Sequence, residues 1–287
     1  MTNLLKLLRP LHLLLTALTY LFGASIANYL GVPFRPNTFW LGFAGIFLVQ
    51  LSTPLLSEVF RLDVEPLLEN ETRKERRTLR NNLLYSAVSC LAVFVFIALN
   101  LFFSGALTLP STLFLFLSLI LVLVYALPPF RNRGFGELIL AVQLAYVIPS
   151  IAYTFQVGEP HRFLMLAFPL TLLAFANFII ADFHTFATDI KYNRVTFLTR
   201  LGWERVVPLH HLFVLLAYIL FLASPSLGLP LSLIGPAFLT FPFALFQIYQ
   251  LRNISLGLPP NWTLVTATAL SVFGLTTYFL TLTFWLR

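Results

Sequence analysis

Nine apolar runs separated by shorter polar segments follow one another along the chain. Each run is long enough to cross about 30 Å of hydrocarbon as an α-helix, because a helix rises about 1.5 Å per residue. The pattern therefore predicts nine membrane-spanning helices, near residues 11–30, 38–60, 83–103, 109–129, 138–157, 163–181, 206–226, 229–250 and 264–285.

The composition supports the same class of protein. Of the 287 residues, 59% are hydrophobic and 10% are charged, and the mean hydropathy is +0.87. Soluble domains carry about a quarter charged residues, so this composition excludes a soluble enzyme or binding module. We predict an all-α, polytopic membrane helical bundle.

The basic residues indicate an orientation. Of the 18 lysines and arginines, only Arg35, Arg162 and Arg287 fall on one side of the nine predicted helices. The positive-inside rule then places the N-terminus and the loops after helices two, four, six and eight in the cytoplasm. The net charge of +7 suits anionic lipid headgroups or an anionic substrate, and it requires no nucleic acid.

Acids, bases and hydroxyls are concentrated at the end of the sixth apolar run, between Asp182 and Gly202. On a helix, Asp182 and Asp189 would project from one face, about 10 Å apart along the axis. Carboxylates at the mouth of a membrane bundle suggest a metal ion or a cationic partner. The alternative is that both acids are solvated at the membrane interface and have no function.

A second charged stretch follows the second apolar run. Its acids come first, at Glu58, Asp63 and Glu65, and its bases follow from Arg73 to Arg80. An acid such as Glu58 is costly at the edge of hydrocarbon unless it faces water, a cation or a partner. The alternative is a solvated amphipathic segment with mixed charges.

The order of these motifs resembles the UbiA superfamily of intramembrane prenyltransferases over about residues 5 to 205. The resemblance rests on Arg-Pro at the first helix, the acid-rich turn after the second, and two further motifs. The loop after helix four reads Tyr125-x-x-Pro-Pro-x-Arg131 and then Gly-x-Gly-Glu, and the segment after helix six reads Asp189-x-Lys-x-x-Arg194-x-Thr.

The resemblance implies a single integral-membrane domain over residues 1–287 with a cavity that faces the cytoplasm. Members of the family bind an isoprenyl diphosphate through Mg²⁺ and transfer the prenyl group to a lipophilic acceptor, often aromatic or a quinone precursor. The implied metal ligands are Glu58, Glu65, Asp182 and Asp189, with Asp63 a weaker candidate; Asp189, Asp182 and Glu58 are the implied catalytic residues. The implied substrate-binding residues are Arg73, Arg76, Lys191, Arg194, Arg131 and Tyr125.

The chain departs from the family at several motif positions. Arg61 and Thr185 stand where the family has aspartates, and Asn193 stands where it usually has glycine. Arg61 would either contact the diphosphate or pair with Glu58 and abolish metal binding. Three functions therefore stay open: a prenyltransferase, an inactive relative that binds a lipid diphosphate or a partner protein, and a transporter or channel.

Overall fold

The computed structural model describes residues 9–61, 65, 67, 72–127 and 133–287. Within these ranges the chain is helical and contains nine helices long and apolar enough to span a membrane. The predicted all-α membrane bundle is thereby confirmed. The spans are α1 (Pro10–Tyr29), α2 (Pro36–Val59), α3 (Arg73–Phe103), α4 (Leu109–Ala126), α5 (Gly136–Val157), α6 (Arg162–Lys191), α8 (Trp203–Leu227), α9 (Leu231–Ser255) and α10 (Trp262–Leu286), and the short helix α7 (Phe197–Leu201) connects α6 to α8.

Two spans are longer than the apolar runs predict. Helix α3 begins at Arg73 rather than near residue 83, and α6 continues to Lys191 rather than ending near residue 181. Hydropathy marks only the part of a helix that meets hydrocarbon, whereas a helix can continue into water. The first turn of α3 is stabilised there by a capping box in which Thr72 and Glu75 bond each other reciprocally.

The most enclosed spans are α5 and α6, and the least enclosed are α3 and α4. Helix α6 packs against α5, α8 and α10, while α1 packs against α2, α5 and α10. The contact between α1 and α5 is close because Gly23 lies against Pro149, where a Cβ atom would meet the proline carbonyl oxygen at 2.0 Å. The centre of the bundle is therefore built mainly from α5 and α6, and α1 packs closely against α5.

Polar side chains join several helices inside the apolar core. Nε2 of His12 on α1 lies 2.7 Å from Oε1 of Gln50 on α2, and Gln143 on α5 donates to Ser118 on α4 at 2.6 Å. The Thr240 hydroxyl bonds both Tyr218 and Thr276, which joins α8, α9 and α10. Such bonds are favourable in a bundle because lipid offers no competing partner.

Candidate functional site

A cavity of about 390 Å³ lies at the end of the bundle that carries most of the charged residues. It is lined by the start of α1, the segment after α2, the end of α4, the start of α5, the last half of α6 and the start of α10. All these segments meet at one end because successive spans run in opposite directions. The charged stretches of the sequence are thus brought together from across the chain.

The end of α6 turns Arg194 back towards the cavity. Asn193 adopts a left-handed conformation with φ of 53° and donates its N–H to Ile190 O, while Arg194 N–H bonds Asp189 O at 2.8 Å. This pair of bonds is a Schellman motif, whose left-handed position favours glycine and tolerates asparagine. Asparagine can therefore occupy this position without strong backbone strain.

Arg194 joins carboxylates from two distant parts of the chain. Its Nε donates to Glu65 Oε2 at 2.7 Å, a second nitrogen also pairs with Glu65, and Nη1 lies 3.2 Å from Asp189 Oδ1. Burial, with a contribution from nearby Arg61, lowers the pKa of Arg194 to about 10, so the side chain remains cationic at neutral pH. A buried acid pair is thereby held by a single guanidinium.

Arg61 extends this network away from the cavity. Its guanidinium pairs with Glu58 at 2.5 Å and with Glu65 at 3.3 Å. The result is an alternating series of acids and bases, Glu58–Arg61–Glu65–Arg194–Asp189. Asp189, which is 1% exposed, is also bonded by the Thr185 hydroxyl at 2.8 Å.

A different pair of acids lies on the α5 and α6 side. Glu137, in the first turn of α5, accepts a hydrogen bond from Phe197 N–H at 3.2 Å through Oε1. The carboxyl groups of Glu137 and Asp182 lie close enough for each to affect the charge of the other. Glu137 Oε2 and Asp182 Oδ2 have no donor among the described residues. These two carboxyl groups therefore repel each other unless a proton or a cation lies between them.

The cavity changes from polar to apolar with depth. Near its mouth Arg9 donates to the Tyr125 hydroxyl at 3.2 Å. One or more helical turns deeper the lining includes His12, Asn177 and a group of apolar side chains, which are Leu15, Leu140, Phe178 and Leu270. This arrangement suits a ligand with an anionic head and a hydrocarbon tail.

Four of the predicted site residues with acidic or basic side chains line the cavity, as does one aromatic residue. They are Glu65, Asp182, Asp189, Arg194 and Tyr125. Arg76 lies beside them and donates to the backbone oxygen of Glu65 at 2.5 Å.

The remaining predicted residues lie elsewhere. Glu58 is buried against Arg61 and does not line the cavity, and Arg73 and Lys191 are exposed outside it. Arg73 lies at the exposed start of α3, and Lys191 packs over the Tyr192 ring, 5.2 Å from its centre. Arg131 and Asp63 lie outside the described residues.

Two charged residues that line the cavity, Arg9 and Glu137, were not among the predicted site residues. Each belongs to a motif that carries the family resemblance, Arg9 to Arg-Pro and Glu137 to Gly-x-Gly-Glu, and each stands directly beside the start of an apolar run. A charge at that position is ordinary in a membrane protein, so only the packing of α1, α5 and α6 reveals the shared cavity.

The carboxylates differ in their capacity to hold a metal ion. Glu58, Glu65 and Asp189 are already paired with arginines, and no group of three or more His, Cys, Asp or Glu side chains in the described ranges forms a metal site. The predicted set of Glu58, Glu65, Asp182 and Asp189 therefore does not fit Mg²⁺ as one group in this arrangement. The orphaned oxygen of Asp182 does fit a cation.

The fold is shared with solved membrane proteins. A UbiA homologue from Archaeoglobus fulgidus superposes with a TM-score of 0.62 at 15% identity, covering 99% of this chain and 100% of that one. The same homologue bound to DMAPP and Mg²⁺ gives a TM-score of 0.60 at 14% identity, with 96% and 98% covered. A structure from work on digeranylgeranylglyceryl phosphate synthase gives 0.56 at 15% identity, with 100% and 98% covered.

No curated protein matches the chain by sequence. The sequence profile described as the UbiA prenyltransferase family, however, matches residues 16–262. That range includes seven of the nine spans in full and most of α1, together with every cavity residue of α5 and α6. The chain is an integral membrane protein that belongs to the UbiA prenyltransferase family.

Proposed function

We propose that this protein transfers an isoprenyl group from an allylic diphosphate to a lipophilic acceptor within the membrane. The observation that carries the proposal is the single cavity in which Arg9 and Arg194 meet Asp182 and Asp189 at a polar mouth, above an apolar interior. The acceptor is an aromatic compound or a quinone precursor, as in much of the family. The A. fulgidus homologue, which binds DMAPP or GPP together with Mg²⁺, supports an isoprenyl diphosphate as the donor.

Arg9 and Arg194 bind the diphosphate in this proposal. Guanidinium groups suit phosphate oxygens because they donate several hydrogen bonds in a planar arrangement. Negative charge develops on the diphosphate as its bond to the allylic carbon breaks, and preorganised cations at the mouth lower the energy of that state. Asp189 holds Arg194 in position, and Tyr125 does the same for Arg9.

Mg²⁺ is the proposed cofactor, and Asp182 is the residue whose free oxygen fits it. When bound, the ion would neutralise the diphosphate as it departs. The apolar side chains deeper in the cavity hold the prenyl chain and exclude water, which would otherwise compete with the acceptor for the allylic carbon.

Incubation of the purified protein in detergent with Mg²⁺, a series of allylic diphosphates and a panel of aromatic, tetrapyrrole and lipid acceptors tests the proposal. Prenylated product and released diphosphate are measured separately. We expect product with at least one pair, and its complete absence with every pair would contradict the proposed transfer.

A second function is favoured by one observation, the pairing of Glu58, Glu65 and Asp189 with arginines. An inactive relative could use the same cavity to bind a lipid diphosphate or a partner protein. Tight binding of an isoprenyl diphosphate without release of diphosphate under any condition would favour this function over transfer.

We further propose that the mouth of the cavity faces the cytoplasm, because nearly all the basic residues lie at that end. Replacing Arg73 by cysteine tests this orientation. The native Cys90 is first replaced by serine, since it is a free thiol in α3. A membrane-impermeant maleimide should fail to label the introduced thiol in intact cells and label it after permeabilisation; labelling of intact cells would reverse the orientation.

A further inference from the structure

The arginines remove most of the carboxylates from consideration as cation ligands. Glu65 is bonded by both Arg61 and Arg194, and Asp189 is bonded by Arg194 and Thr185. A divalent cation placed among them would have to displace a guanidinium from a buried carboxylate. Such displacement is costly because a buried ion pair that loses one partner leaves an uncompensated charge.

Glu137 and Asp182 have the opposite character. Glu137 is only 7% exposed, lines the cavity and presents Oε2 without a hydrogen-bond donor in the described part of the chain. Asp182 Oδ2 lines the same cavity and also lacks a donor there. A buried carboxylate oxygen without a partner costs free energy, so an orphaned pair marks a place where a ligand is missing.

The type and number of these ligands match the way proteins bind Mg²⁺. The ion is usually held by one or two carboxylates, with substrate phosphates and water completing six oxygen ligands. Two carboxyl groups within reach of each other and facing a cavity supply the protein's share. Arg9 lies near Asp182 but uses its guanidinium to bond Tyr125, so it contributes positive charge without occupying either carboxyl oxygen.

We propose that Glu137 and Asp182 form the divalent-cation site of this protein, on α5 and α6, and that the family-like acids of the α2 side bind arginine instead. Two features of the structure suit Glu137 to this role. The N-terminal turn of α5 favours a negative charge on its carboxylate, and the Phe197 N–H donates to Oε1 and so fixes the orientation of the side chain. The phosphate ligands in this inference rest on the proposed function, whereas the two protein ligands do not.

Electron paramagnetic resonance of Mn²⁺, added alone to the purified protein in detergent, tests the site. Bound Mn²⁺ is measured as the loss of the free-ion signal. We expect Glu137→Gln and Asp182→Asn each to weaken binding roughly tenfold or more, since even outer-shell partners of a metal contribute about that much. Glu65→Gln should stay within about threefold of wild type.

Glu204→Gln is the matched control, because Glu204 is an exposed acid at the start of α8 outside the cavity. It removes the same charge and should leave Mn²⁺ binding unchanged. Glutamine at 137 can still accept the Phe197 hydrogen bond, and thermal melts check folding; Asp182→Asn reports on the site independently if Glu137→Gln is unstable.

Wild-type-like binding in Glu137→Gln, absence of Mn²⁺ binding in the wild type, or loss of binding in Glu65→Gln alone would overturn the site. The measurement contains no isoprenyl diphosphate and no acceptor. A protein that shows no prenyl transfer yet loses Mn²⁺ binding in Glu137→Gln would therefore keep the cation site while refuting the proposed function.

Discussion

The two acidic sides of the cavity differ in how their charge is compensated. On the α2 side, Glu58 and Glu65 are buried against Arg61, and Arg194 connects Glu65 to Asp189. On the α5 and α6 side, Glu137 and Asp182 face each other with orphaned oxygens. Each acid of the first side pairs with an arginine, whereas the two acids of the second side require a proton or a cation between them.

This difference shows that acids retained at motif positions can pair with arginine instead of binding a metal ion. The α2 side retains two glutamates but carries Arg61 at a position where the family resemblance implies an aspartate, and this arginine pairs with both glutamates. In a site of low dielectric a neighbouring charge decides whether a carboxylate can bind metal. The number of acids at motif positions therefore does not give the number of metal ligands.

The largest effect is expected at Asp189, which lies on α6 with Asp182 and pairs with Arg194. Asp189→Asn should lower kcat roughly a hundredfold or more, the scale of losing a key electrostatic group in an active site. Asparagine still accepts the Thr185 hydrogen bond but no longer carries the charge that holds Arg194. Turnover is measured at saturating Mg²⁺ with thermal melts alongside.

Glu204→Gln again serves as the control for that experiment, and it should keep wild-type turnover. Equal kcat in Asp189→Asn and wild type would mean that Asp189 does not support the chemistry. The pairing of Asp189 with Arg194 would then have no role in the reaction.

Arg194→Gln should have the next largest effect, because it removes a cation that binds the diphosphate in the proposed function. A charge-assisted hydrogen bond contributes about 1.5–3 kcal/mol, so kcat/KM should fall roughly tenfold to a hundredfold. Arg194→Lys should recover part of the loss, because it keeps the charge but not the two-pronged geometry. Steady-state kinetics with varied isoprenyl diphosphate measure this, and an unchanged KM and kcat would remove Arg194 from the substrate site.

The sequence predicts the bundle well and the site only in part. Nine apolar runs of sufficient length specify nine spans because hydrocarbon thickness sets a minimum length. On a helix, Asp182 and Asp189 would project from one face, and α6 does continue through both acids. The hydropathy pattern alone ends that helix too early, because polar residues of a helix that leaves the hydrocarbon carry no apolar signal.

The contacts of the site could not be predicted from the sequence. Arg194 meets Glu65 across 129 positions of the chain, and Glu137 meets Asp182 through the packing of α5 against α6. Local patterns carry no information on such distances between side chains. Arg61 shows the limit clearly, because its pairing with Glu58 and its contact with a diphosphate were equally compatible with the sequence.

A smaller effect is expected from Glu65→Gln. Arg194 keeps Asp189 and Arg61 keeps Glu58 in this variant, so both arginines retain one carboxylate. Turnover should fall by less than about tenfold, a loss of under roughly 1.4 kcal/mol in barrier terms. The same kinetic assay measures it, and a loss equal to that of Asp189→Asn would show that the α2 side takes part directly in catalysis.

The smallest effect on activity is expected at Glu58, which does not line the cavity and pairs with Arg61. Glu58→Gln should change kcat/KM by less than about threefold, or roughly 0.7 kcal/mol in barrier terms, because no substrate contact is lost.

The main effect of Glu58→Gln should be on stability, since Glu58 is buried and pairs with Arg61 at 2.5 Å. A double-mutant cycle of Glu58→Gln and Arg61→Gln, measured by thermal melts in detergent, should give a coupling free energy of about 0.5–3 kcal/mol, as contacting charged residues do. Additive effects would show that this pair contributes nothing to the bundle, and a large fall in turnover for Glu58→Gln would restore Glu58 to the reaction site and remove the distinction between the two sides.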